Sequence, residues 1–120
     1  MKNNAKLSLK KFVESKEKEK WNKRDNIITL VKDHLNEFKN NFKSIKSLYL
    51  VGSIAQKEFF SLDSDVDIAT RGLDKNDYFK ALLFWEDKLN MKVDFIRLEE
   101  VKKDNLNKLI KNRIIIYEKS

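Results

Sequence analysis

Apolar residues at Ile27, Val31, Leu35, Phe38 and Phe42 recur every three or four positions, which predicts an amphipathic helix from about Asn22 to Lys43. The period then changes. Leu48 to Val51 and Val66 to Thr70 are short apolar-rich runs bounded by turn-forming residues, and they read as buried strands. Asp74 stands where a helix N-cap is expected. Tyr78, Leu82, Trp85 and Leu89 follow at helical spacing, Asp77 falls in the favoured first turn, and Asn90 closes the helix. Lys92 to Leu98 predicts a third strand, Leu106, Leu109 and Ile110 mark a last helix, and Ile114 to Tyr117 a last strand. Helices and strands thus alternate, with no internal repeat.

With 120 residues the chain is long enough for one domain with a real core and too short for two. Proline is absent, and the two glycines, Gly52 and Gly72, both fall at expected turns. The absence of cysteine excludes disulfides and thiolate chemistry and fits a reducing, cytoplasmic setting. No apolar stretch approaches the roughly 18 residues of a membrane span, and no signal-peptide pattern opens the chain. Charge divides it more sharply. Residues 1 to 24 hold nine Lys or Arg against three Glu, a net of +6 out of the chain's +7. A basic extension over residues 1–21 is therefore expected ahead of a nearly neutral domain over residues 22–120. The alternating Lys16-Glu17-Lys18-Glu19-Lys20 favours a solvated helix there, with a weak apolar stripe at Leu9, Phe12 and Val13. Such an arm is either plain solvated surface or a contact for RNA or an acidic partner. Few aromatics interleave with its basic residues, which argues against a single-strand stacking platform.

The chemistry concentrates in Leu48 to Thr70, LYLVGSIAQKEFFSLDSDVDIAT. The first strand feeds Gly52-Ser53, eleven residues separate Ser53 from Asp65, and Asp65 and Asp67 enter the second strand. Strand alternation sends both carboxylates to one side and Val66 and Ile68 to the other. Two like charges on a packed strand are costly without compensation, and Mg2+, which takes carboxylate and phosphate oxygens, is the natural one. A solvated loop is the plainer alternative, but the apolar flanks at 66 and 68 speak against it. Gly52 lets the backbone turn sharply and a phosphate approach closely. Ser53 reads as the N-cap of a short helix over Ile54 to Phe59, whose free N–H groups suit an anion. Ser64 reads as a turn residue and, as a second role, a nucleotide-binding one.

This pattern resembles the signature of the DNA polymerase beta-like nucleotidyltransferases, and in size the chain is similar to their minimal single-domain members, the MNT proteins. The resemblance runs from about Asn22 to Tyr117. It implies an α+β (α/β) fold with a small mixed β-sheet and helices packed on one face. It also makes Asp94, within Met91-Lys92-Val93-Asp94-Phe95-Ile96, the third carboxylate; taken alone, Asp94 reads as an edge carboxylate. On this resemblance Asp65, Asp67 and Asp94 are catalytic and hold two Mg2+ ions, ATP is the nucleotide donor, and Gly52 and Ser53 hold its β and γ phosphates. The implied reaction is transfer of AMP to a hydroxyl. Minimal members resemble antitoxins that modify a tyrosine of a helical HEPN toxin, which makes such a toxin the expected partner. Nucleotidylation of a small molecule such as an aminoglycoside, and silencing of a toxin by binding alone, are the alternatives. One departure stands out. Family members commonly read Gly-Ser-x-Ala-Arg-Gly, and here Gln56 and Lys57 replace Arg-Gly. Lys57 restores a positive charge without the two-pronged contact of a guanidinium.

Two other residue types call for plainer readings. His34, the single histidine, lies beside the apolar face of the first helix and reads as a boundary residue. Trp21 and Trp85 read as core or interface aromatics in preference to nucleotide stackers.

Overall fold

The computed structural model describes residues 2–119, and the side chains of residues 8–119. Four helices and four strands follow one another as α1 (Lys2–Asp33), α2 (Leu35–Asn41), β1 (Ser47–Val51), β2 (Val66–Arg71), α3 (Tyr78–Leu89), β3 (Val93–Arg97), α4 (Lys103–Ile110) and β4 (Ile114–Glu118). The strands form one sheet in the order β3-β2-β1-β4. β1 runs antiparallel to β2 and β4, whereas β2 and β3 are parallel, joined through α3. The sheet is therefore mixed.

β1 is buried at all five positions, as an apolar central strand must be. Its alternate side chains serve two different clusters. Leu48 and Leu50, with Val66, Ile68, Val93 and Phe95, pack against Ile27 and Val31 of α1, Phe38 of α2, and Ala81, Trp85 and Leu89 of α3. Trp85 is fully buried there, with its ring 4.9 Å from that of Phe38. Tyr49, Val51 and Ala69 form a smaller cluster with Leu98, against which Leu106, Leu109 and Ile110 of α4 pack. The long helices thus share one face as expected, and the short α4 lies against part of the other.

The first helix differs from its expected bounds. Instead of one helix over residues 22–43, α1 extends back to Lys2, so the boundary proposed at residue 21 lies inside a continuous helix. The helix bends at His34, yet His34 N–H still donates to Leu30 and Phe38 N–H to the His34 carbonyl, both at 3.0 Å. The periodicity survives such a bend because the hydrogen-bond ladder does. His34 is half-buried beside Glu37, a boundary residue as its place on the helix implied. Residues 8–19 of α1 are solvated on all sides, including Leu9, Phe12 and Val13. From Lys20 onward the helix meets the domain.

β3 is an outer strand, pairing only with β2. Its backbone is nevertheless engaged. Tyr78 donates its hydroxyl to the Phe95 carbonyl at 2.7 Å, and Val93 N–H donates to the Glu86 carboxylate at 3.2 Å. Both partners come from α3, so the helix shields the edge it packs beside.

Candidate active site

β1 ends at Val51, directly opposite Asp67 on β2, and Asp67 in turn stands opposite Asp94 on β3. This register places the Gly52 turn and two carboxylates at one end of three adjacent strands. Asp65 precedes β2 and is exposed; Asp67 is half-buried and Asp94 exposed. The turn itself is a short 3-10 helix over Gly52–Ala55, followed by a second over Lys57–Phe59.

Gly52 adopts φ +71°, a left-handed conformation that side chains with a Cβ rarely take. Sterics add a second requirement. A Cβ at this position would overlap Asp67 Oδ2 and stand 3.1 Å from Asp67 Cγ. The missing side chain therefore makes room for the Asp67 carboxylate, a role beyond the phosphate clearance expected for it.

The expected capping role of Ser53 is corrected. The residue at the N-cap is Val51, without a side-chain cap, and Ser53 lies inside the first 3-10 helix. A glycine in the left-handed region starts the helix one residue earlier, so the Ser53 hydroxyl is not spent on a cap. Ser64 is occupied locally: its hydroxyl accepts from Ser61 N–H at 2.9 Å and lies 3.0 Å from the Ser61 hydroxyl. Trp21 sits outside the core, with the Lys20 ammonium 4.4 Å and the Lys57 ammonium 5.9 Å from its ring centre.

Electrostatics distinguish Asp67 from its neighbours. Burial first, then the charge of Asp94, hydrogen bonding to Asp94 and the charge of Asp65, push its carboxyl up from 3.8 to about 6. Asp94 is thus the main charged neighbour of Asp67, with Asp65 in electrostatic range. Among the described residues no three His, Cys, Asp or Glu side chains close into a finished metal cluster. The donor set still fits a hard divalent cation: Asp67 and Asp94 stand opposite each other on β2 and β3, and carboxylate oxygen is the ligand Mg2+ takes.

A pH dependence follows. Between pH of about 4 and 6 the folded chain holds a proton on Asp67 that the unfolded chain has released. The stability this group contributes is complete below the unfolded value and lost as pH rises through about 6. Thermal melts in chelator should therefore fall by several degrees between pH 4 and 7 on this account. Asp67→Asn should flatten the profile, and Mg2+ should restore stability to the wild type at neutral pH. An identical pH slope in the variant would remove Asp67 as its source.

One residue that bears on this site carried no signal in the sequence. Arg24, in the basic stretch of α1, is buried, and its Nε–H donates to the Ile54 carbonyl at 2.7 Å. The adjacent Lys23 ammonium donates to the Leu62 carbonyl. Two cations of the first helix thereby hold the loop between the Gly-Ser turn and Asp65.

The family profile for polymerase beta nucleotidyltransferases matches residues 33–120. No curated protein sequence matches the chain significantly. Among solved structures, a chain from the complex of tri-AMPylated Shewanella oneidensis HEPN toxin with MNT antitoxin superposes with a TM-score of 0.58 at 17% identity, covering 76% of this chain and 72% of that one. A chain of a toxin-antitoxin complex with AMP-PNP gives a TM-score of 0.60 at 20% identity, covering 81% and 74%. At these identities the likeness is one of fold.

Proposed function

The chain belongs to the polymerase beta nucleotidyltransferase family, and from that premise we propose that it is a Mg2+-dependent adenylyltransferase and the antitoxin of a HEPN-type toxin. In this reading it moves AMP from ATP to a tyrosine hydroxyl of that helical partner. The observation that carries the reading is the register that sets Gly52, Asp67 and Asp94 side by side on adjacent strands. The family resemblance of the two solved complexes, one with an AMPylated toxin and one with AMP-PNP, supports the choice of partner and donor.

Asp67 and Asp94, with Asp65 beside them, would hold Mg2+, which supplies positive charge against the phosphates and eases loss of the acceptor proton. The N–H groups at the start of the Gly52–Ala55 turn and the Ser53 hydroxyl would hold the terminal phosphates of ATP. Asp94, exposed on an outer strand, is open to an acceptor as large as a protein side chain. Its carboxylate takes the proton of the incoming hydroxyl. The hydroxyl oxygen bonds to the α phosphorus, the bond from that phosphorus to the α-β bridging oxygen breaks, and pyrophosphate leaves with the bonding electrons. The chain's contribution is mostly position and electrostatics, as in phosphoryl transfer generally.

Incubation with the partner, ATP and Mg2+ should raise the partner's mass by one adenylyl group per transfer, on a tyrosine. Asp94→Asn should eliminate that increment and leave the complex intact in size-exclusion chromatography, since it alters one exposed charge inside the site. If Asp94→Asn still protected cells fully against the toxin, protection would rest on binding alone and the enzymatic role would fall.

A further inference from the structure

Arg24 poses a physical problem that the reaction as described leaves unanswered. Its side chain is only 9% exposed, yet among the described residues no carboxylate forms an ion pair with it. Its Nε–H bond to Ile54 is the one hydrogen bond its guanidinium makes there. Its Nη groups are not among the fully buried atoms without a partner, so they open onto accessible space. The residue borders a cavity of about 600 Å3, shared with Ala55, Gln56, Lys57, Glu58, Phe59 and Asn112. Arg24 and Lys57 outweigh the single acid, Glu58, and the amides of Gln56 and Asn112 add neutral hydrogen-bonding groups. Such a lining suits a polyanion.

The cavity adjoins the catalytic turn. Ala55 lies at its wall and is the last residue of the 3-10 helix that begins at Gly52, beside Asp67. Three residues of 3-10 helix advance roughly 6 Å at about 2.0 Å each, a span within reach of a triphosphate chain. Resting on the nucleotidyltransferase reading, we infer that Arg24 and Lys57 form a subsite for the terminal phosphates of the nucleotide and for the pyrophosphate released from it. Arg24 acts twice: Nε fixes the turn through Ile54, and the remaining guanidinium N–H groups face the anion. Because Arg24 lies outside residues 33–120, the basic helix adds to Lys57 a guanidinium that the run Gly-Ser-Ile-Ala-Gln56-Lys57 does not supply.

Calorimetry of the full chain with Mg2+ and three probes, tripolyphosphate, ATP and AMP, tests the subsite. Arg24→Gln keeps a donor for Ile54 and removes the charge; Lys57→Gln removes an exposed charge without touching the core. Each should weaken tripolyphosphate and ATP binding about tenfold or more, as loss of a charge-assisted hydrogen bond does, and change AMP binding less than twofold. Equal weakening of ATP and AMP would reduce Arg24 to a structural prop and overturn the subsite. So would unchanged ATP affinity in both variants while the wild type transfers AMP normally. Should Arg24→Gln fail to fold, Lys57→Gln decides by the same criteria. Wild-type protein that bound tripolyphosphate through Arg24 and Lys57 without transferring AMP would keep the anion site and defeat the enzymatic reading instead.

Discussion

Alanine in place of Asp67, alone or with Asp65→Ala, is expected to abolish nucleotide transfer. Charge stabilisation by a bound divalent ion is worth several kcal/mol, so transfer should fall at least about a thousandfold. The partner's mass increment should vanish, and Mg2+-dependent ATP binding should weaken sharply. The fold should survive, because Asp67 is half-buried at the end of β2 and its carboxylate is a burden when unpaired. Circular dichroism separates the two effects: a native spectrum with lost transfer supports the assignment. Unchanged calorimetric affinity for MgATP would sink it.

The second large effect is expected at Gly52. Gly52→Ala forces a side chain into a left-handed backbone, at about 1–2 kcal/mol. The new Cβ also overlaps Asp67 Oδ2, so the carboxylate must leave its position between the Gly52 turn and Asp94. The loss of activity should therefore far exceed the loss of stability. Because the clash is with a carboxylate proposed to hold the metal, binding of Mg2+ in the absence of nucleotide should weaken as well. A merely phosphate-facing glycine would leave metal binding untouched, and that result would return Gly52 to its simpler role. Gly52→Val carries the same argument with a bulkier group.

These two residues were legible in the sequence for different reasons. Asp67 announced itself through strand alternation, a local rule that needs only the neighbouring residues. Gly52 was recognisable as a turn, but its dependence on Asp67 comes from a pairing across fifteen residues that no local pattern encodes. The strands came out within one residue of expectation because each is a short apolar segment with clear punctuation, whereas α3 starts three residues late, at Tyr78, because Asp74 caps a 3-10 turn over Lys75–Asp77 and Asp77 stands at the helix N-cap instead of in its first turn. The first helix was harder. Its basic half carries only a weak apolar stripe, Leu9, Phe12 and Val13, all exposed, which did not mark it as part of the same element as residues 22–43. Arg24 was invisible for the same reason: among nine basic residues it is distinguished only by Ile54, thirty residues away. Ser53 shows the reverse error, a favourable residue type at the wrong step of the turn.

The side chains of α3 that engage β3 tie the integrity of the strand bearing Asp94 to that of a helix. Asp94 rides on the outermost strand, where an unprotected backbone would recruit other chains and bury the acceptor's approach. Tyr78 and Glu86 act as two latches, spaced along a single helix, on the strand that bears it. Local melting of α3 would open both at once. Loss of function under mild stress would then begin as self-association at this margin, with the carboxylates still intact.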